Sequence, residues 1–480
     1  MSKFNKTKKI EYTTTHEGGT ALEKPALQQW LNMMFGSLLS GSFYKGDKQQ
    51  MERLSKLTDK VIEQEGPVFA CNATAFARNV MGIRSCVSLA LARIQAEQFD
   101  GKSTLIGKCL RRPDDVSELF AAIDSMGLKR THGTVNAVRN YLEDLGHYSL
   151  SKYVMLGKEY NMYDIVNISH AHSEAIDCLK AGTLEKADTW ETAISNTEDK
   201  EAEWERLCRE GKLGYLALIR NLRNIYSCKF CDEDFVKDVL MGQIMNAEAI
   251  HRSLVFPYQI YQAYLSLDVS ESSLVAQALK DAFLEACSNV PDITGRTVCV
   301  LDVSGSMNDP ISKNSKVSIL QASACYCAIV ATKCEDVTIV KFGSDAKEFK
   351  FDKRNGIFHE IERLTKNDGC GYTTKFSCAL DVMIGNRKFN RMFVFSDEQV
   401  MDGSWLFKTT ADYCIKKSKK IAGFTYSFNL GCYNSGIIDL DDPNVFMLTG
   451  LSDKLFELIP YFENGSDYIR RKIHDYSSFY

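Results

Sequence analysis

From about residue 20 to residue 290 the apolar positions recur at helical spacing. Leu27, Trp30, Leu31, Met34 and Leu38 follow the i, i+3, i+4, i+7 rule, and Met51, Leu54, Leu57 and Val61 repeat it one turn-rich loop later. Each set predicts a helix that buries one face. Phe69 to Ala96, Val116 to Met126, Val135 to Leu145 and Leu274 to Ala286 read the same way, joined by Gly, Asp and Asn loops. Helix after helix over this length predicts a HEAT-like helical-repeat array with an extended concave or ring-like surface.

Near Pro291 the pattern changes. Thr297 to Leu301, Val337 to Phe342, Met392 to Phe395, Ile421 to Tyr426 and Val445 to Leu448 are short apolar runs of the buried-strand kind. Helix-length segments such as Ser315 to Lys333, Phe376 to Gly385 and Trp405 to Lys417 separate them. Alternating strand and helix predicts a doubly wound parallel sheet, with Ala346 to Phe351 as a short antiparallel edge strand. The expected fold class is α plus α/β: a flexible arm over residues 1–15, an all-α repeat domain over 16–292, and an α/β domain over 293–480.

Composition narrows the function classes. A chain of 480 residues with 45% hydrophobic and 25% charged residues is globular and long enough for two domains, which excludes disordered and collagenous architectures. The longest apolar stretch, Ile319 to Ala331, is short and broken by Gln321, Ser323 and Tyr326, so no membrane partner is expected. The lysine-rich start has no apolar core of the secretory kind, and sixteen cysteines show no framework spacing; a reducing, cytoplasmic setting follows. Cys228 and Cys231 form one CxxC without a second, and read as structural thiols. A net charge of −4 excludes a bulk polycation, so any nucleic-acid site must be a local patch.

Candidate chemistry concentrates where the first apolar run of the second half meets Asp302, Ser304 and Ser306. Ligands of open α/β sheets sit at the carboxyl ends of strands, and these oxygens fall there. Hard oxygen donors with few carboxylates suit Mg2+ better than zinc. Thr374, at the mouth of a helix, and Asp397, at the end of a further strand, complete a set of five metal ligands; Thr373 is the competing hydroxyl. The arrangement resembles the metal-ion-dependent adhesion site of von Willebrand factor type A domains, with Lys375 a departure from the residue usual after the threonine. The resemblance implies that the five residues hold Mg2+ directly or through water, and that a vacant position accepts a partner's carboxylate. Hydrolase chemistry fits poorly, because Ser304 stands where a nucleophilic Asp302 would need a general acid.

The helical half carries its own landmarks: His16-Glu17-Gly18-Gly19-Thr20, Ala75-Phe76-Ala77-Arg78-Asn79 with Ile83-Arg84, Arg112-Pro113-Asp114-Asp115, Ser151-Lys152-Tyr153, Ser169-His170, Leu216 through Asn224, and Val255-Phe256-Pro257. In this order, ahead of the α/β half, they resemble the TROVE domain of the Ro ribonucleoprotein family. The resemblance implies a helical ring that grips small non-coding (Y-like) RNA on its outside and takes single-stranded 3′ ends of misfolded RNA into a central hole. An exoribonuclease is the implied protein partner, and the expected protein is a monomer without enzyme activity. The rival reading is a scaffold whose metal site grips an acidic residue of a protein partner.

The residues can also be read directly. Between Tyr215 and Tyr226 the apolar stripe leaves Arg220, Arg223 and Asn224 on another face, where the arginine fork can pair phosphate or lie against a base. Bonds to buried carboxylates are the alternative. Lys129, Arg130 and Arg139, with Lys152 and His170, form a second candidate RNA surface, against a solvated face as the alternative. Lys108, Arg111 and Arg112 are lesser candidates, Arg470, Arg471 and Lys472 read as a solvated tail, and His16 as structural.

Overall fold

The computed structural model describes residues 12–14, 20–22, 26–36, 48–155, 157–185, 189–267, 269–311, 316–383, 387–397, 414, 417–429, 444–449, 454–464 and 466–479. Leu38, His16, the lysines of the arm and nearly all of the expected helix from Trp405 to Lys417 lie outside them. Two short strands, β1 (Tyr12–Thr14) and β2 (Thr20–Leu22), pair antiparallel ahead of the first helix.

Helices then follow one another, each packed on neighbours close in sequence. Leu27, Trp30, Leu31 and Met34 of the helix Ala26–Gly36 are buried, as are Leu54, Leu57 and Val61 of Lys48–Glu65. Trp30 Nε1 donates to Thr58 Oγ1 at 2.9 Å, so this large side chain enters the core with its polar atom satisfied. The stretch Phe69 to Ala96 is two helices, Pro67–Asn79 and Ser85–Ile94, because Gly82 adopts a positive φ that no helix continues through.

A buried ion cluster ties these helices to Pro113–Ser125. Arg78 donates to both oxygens of Asp115 at 2.7–3.1 Å, with side chains 8% and 6% exposed, and Arg84 reaches Asp114 at 2.6 Å. Asp115 also accepts from the backbone N–H of Arg111 and Arg112, capping its own helix. A carboxylate with its lone pairs filled in this way is a paired charge that the interior tolerates.

The second half is a six-stranded sheet of order β5-β4-β3-β6-β7-β8, built from β3 (Ile293–Asp302), β4 (Cys334–Phe342), β5 (Ala346–Phe349), β6 (Phe389–Ser396), β7 (Ala422–Asn429) and β8 (Val445–Thr449). Every pairing is parallel except that of the edge strand β5 with β4. Thr297 to Asp302 of the central strand are buried throughout, which is why they read as an unbroken apolar run. The helix Ile319–Lys333 starts at a capping box between Ser318 and Gln321 and is buried on all sides from Ile319 to Ala331, apart from Gln321. It lies between the sheet and the helical array: Tyr326 packs at 5.3 and 5.7 Å from Phe256 and Tyr258, and at 5.7 Å from Phe428. The apolar stretch of the sequence therefore fills an interface between the two halves.

Both ends of the array dock on the sheet half. The first helices meet β8 and the helix Ser466–Phe479, where Tyr476 lies 5.9 Å from Phe76 and accepts from Asn79 Nδ2 at 2.6 Å. The later helices, Pro257–Ser266 and Leu274–Ala286, meet Ile319–Lys333 and Ile357–Thr365. The array is thereby closed into a loop through the sheet. Arg470 correspondingly is no part of a solvated tail: it pairs with Glu65, and Ile473 one turn on is buried.

Candidate functional sites: an oxygen cradle and exposed cationic faces

The cradle forms where strand ends and one loop meet. Asp302 is fully buried at the end of β3; its Oδ1 accepts from Ser304 N at 2.9 Å and its Oδ2 from Ser396 Oγ at 2.7 Å. The hydroxyls of Ser304 and Ser306 are 3.4 Å apart. Asp397 follows β6 and is 1% exposed. Burial pushes the Asp302 carboxyl up to about 6 against the hydrogen bonds from Ser304 and Ser396, and Asp397 adds repulsion.

The loop carrying the threonines is pressed onto this edge. Gly305 N donates to Tyr372 O at 3.0 Å, Lys375 N to Gly343 O at 2.9 Å, and Asn367 Nδ2 to Val303 O and Gly371 O at 3.0 and 2.8 Å. Gly343 is required for this approach, since a Cβ there would lie 2.2 Å from the Gly371 carbonyl oxygen. Thr374 is 3% exposed, whereas Thr373 is exposed and its hydroxyl is hydrogen-bonded to Ser344. Lys375 is exposed. Two buried carboxylates beside serine and threonine hydroxyls are a hard-oxygen donor set that a divalent cation of the Mg2+ class fits. Ser396, Gly343 and Asn367 belong to this architecture without any motif that singles them out in the sequence; the only local signal is the hydroxyl preceding Asp397.

The cationic residues divide by what already holds them. Arg220, Arg223 and Asn224 stand exposed on the helix Tyr215–Tyr226, opposite the buried Tyr215, Leu218, Ile219, Leu222 and Ile225. Neither arginine side chain makes an ion pair or hydrogen bond with a described residue, so bonds to buried carboxylates do not hold them. Arg130 is engaged: it donates to both oxygens of Asp124 at 2.7 and 2.9 Å, also to Tyr160 Oη, and lies 5.0 Å over the Phe120 ring. Arg139 Nε donates to Ser169 O at 2.9 Å, which brings it beside the exposed His170 that ends the helix Met162–Ser169 in a left-handed conformation. Lys129 is exposed.

Lys152, also exposed, lies within 5.7 and 6.0 Å of the Tyr148 and Tyr153 rings, and Arg112 lies 5.3 Å over the Tyr153 ring. Tyr148 is 55% exposed. Helical spacing gives no sign of this interleaving of cations and rings, although Tyr148, Lys152 and Tyr153 are near neighbours in the chain.

A family model described as TROVE domain matches residues 150–332, from the cationic helices into the first strand and helix of the sheet half. RNA-binding protein RO60 of Caenorhabditis elegans is 25% identical over 394 residues, covering 78% of this chain and 57% of that protein. Telomerase protein component 1 of Rattus norvegicus is 28% identical over 105 residues, 21% of this chain and 4% of that one. The chain thus spans well under two thirds of the length of these relatives. The crystal structure of the Deinococcus radiodurans RO (RSR) protein superposes with a TM-score of 0.67 over 92% of this chain and 99% of that one, at 15% identity, which establishes the shared fold. Matched domain and relative together support a protein of the TROVE-domain Ro family, and the solved structure shares its fold.

Proposed function

We propose that this chain is an RNA-binding scaffold of the Ro kind, which captures small Y-like RNA and the single-stranded 3′ ends of misfolded structured RNA, in RNA quality control or ribonucleoprotein assembly. The observation that carries the reading is the face of Arg220, Arg223 and Asn224, exposed on a helix of a closed array and free of described ion-pair partners. An unpaired cation beside solvent meets phosphate without first breaking an internal bond, and counterion release drives the association. Arginine forks and the rings around Lys152 also stack unpaired bases, which a duplex does not offer. The name of the worm relative supports the same class of ligand. Every described cysteine is a free thiol, in keeping with a cytoplasmic setting. The protein acts as a monomer and binds without catalysing; an exoribonuclease is the partner this function calls for.

In the sheet half, Asp302, Ser304, Ser306, Thr374 and Asp397 would hold Mg2+, which when bound supplies an open position for a carboxylate of a protein partner. Ser396 orients Asp302, and Asn367 fixes the threonine loop. Tyr372, 76% exposed and held by its carbonyl at the lip of the cradle, favours this second, protein-binding role for the sheet half. Filter binding across a salt series decides the main reading. Structured RNA with a 3′ tail should bind in a salt-dependent manner and more tightly than the blunt duplex; equal or salt-independent binding of the two would reject it.

A further inference from the structure

We infer that Glu271, His359 and Glu362 form a second divalent-cation site, of the transition-metal class, that staples the helical array to the sheet half. One ligand atom from each of the three lies within 4.8 Å of the other two, and among the described residues this is the only such group of three metal-ligating side chains. His359 and Glu362 are three residues apart on the helix Ile357–Thr365, so they project from one face. Glu271 comes from the turn between Pro257–Ser266 and Leu274–Ala286, on the other side of the boundary.

The frame around the three residues is rigid. Phe358, next to His359, packs 4.5 Å from Tyr264, 5.4 Å from Tyr261 and 5.5 Å from Phe283, and these rings hold the helix against the array. The two glutamates on the frame are exposed and free to adjust. Metal–ligand bonds of about 2.0–2.2 Å set neighbouring donors roughly 3 Å apart, a contraction that exposed glutamates make by rotamer changes.

The local charges agree. Two glutamates drawn together repel, and each has one lysine nearby: half-buried Lys280 donates to the Glu271 backbone carbonyl at 3.1 Å with its Nζ 3.7 Å from the carboxylate, and exposed Lys366 Nζ is 3.2 Å from Glu362. The exposed Lys366–Glu362 pair contributes about 0–1 kcal/mol, and the Lys280 ammonium is anchored on a backbone carbonyl, so both carboxylates can turn to a doubly charged ion. An imidazole with two carboxylates suits Zn2+ or its neighbours in the first transition row, whereas the all-oxygen cradle at Asp302 suits Mg2+. Three protein ligands leave room for water, so the ion joins the two halves without being enclosed. The inference is independent of the RNA reading.

Equilibrium dialysis and thermal melting of the full chain with Zn2+ test it. The wild-type chain should bind one Zn2+ that survives Asp302→Ala and the double change Cys228→Ser/Cys231→Ser. His359→Gln should weaken that binding at least tenfold. Glu271→Gln, on the opposite side of the boundary and on an exposed side chain, should do the same in a chain whose circular dichroism is unchanged. Saturating Zn2+ should raise Tm by about 2 °C or more in the wild-type and Asp302→Ala chains and leave His359→Gln unmoved. The inference fails if no Zn2+ binds, if binding persists in both His359→Gln and Glu271→Gln, or if it follows the thiols or Asp302 instead.

Discussion

Arg78 and Arg223 carry the same guanidinium, each in the last turn of a helix of the array, and meet opposite surroundings. Arg78 is sealed against Asp115 with its fork filled, while Arg223 and its neighbour Arg220 stand in solvent with no described partner. The first arrangement holds helices together over 37 residues of chain; the second leaves donors for something outside the chain. Arginine in a motif therefore says little about role until burial and partner are known. Arg130 makes the point again, since its ion pair with Asp124 and the rings of Phe120 and Tyr160 engage it although it is only half-buried.

Substitution separates the two kinds. Asp115→Ala strands a buried guanidinium and uncaps a helix, and should lower stability by about 3–5 kcal/mol in chemical denaturation; a loss under about 1 kcal/mol, the ceiling for exposed pairs, would move Arg78 to the exposed class. Asp302→Ala should weaken Mg2+ binding by more than about 100-fold in titration calorimetry, roughly 2.7 kcal/mol, and leave RNA affinity as it was. A fall in RNA affinity there would erase the division between the halves. Changing Arg220 and Arg223 together to Ala should keep the melting curve and reduce affinity for tailed RNA about tenfold. The slope of log affinity against log salt should shrink by about 1.4, the value for two phosphates of a single strand. Tyr148→Ala should have the smallest effect, about 1 kcal/mol or fivefold on unpaired RNA, with the salt slope unchanged because a ring and not a charge is removed.

The sheet half was legible because its chemistry is written at strand ends. Thr297 to Asp302 announce a strand buried on both faces, which Asp302 ends and Ser304 follows within two residues, while Asp397 comes directly after its own strand. The helical half was legible as helices, since Leu27, Trp30, Leu31 and Met34 are buried as their spacing predicts. What joins the pieces was not legible. Arg78 and Asp115, Arg139 and Ser169, Tyr476 and Asn79 meet only after the array has curved and closed. Periodicity reports which face of a helix is inward and carries nothing about which distant helix lies there. For the same reason the sequence presented Arg470 as one of three basic residues near the end of a polar segment, and Glu65, 405 residues away, remained unseen.

The junction of Tyr476 with Phe76 and Asn79 sets an order on biosynthesis. The helix that ends at Asn79 leaves the ribosome 397 residues before the hydroxyl that completes its surface. Throughout translation it must persist with that side uncovered, so a nascent chain halted between the two halves would present a sticky, unfinished edge to chaperones and proteases.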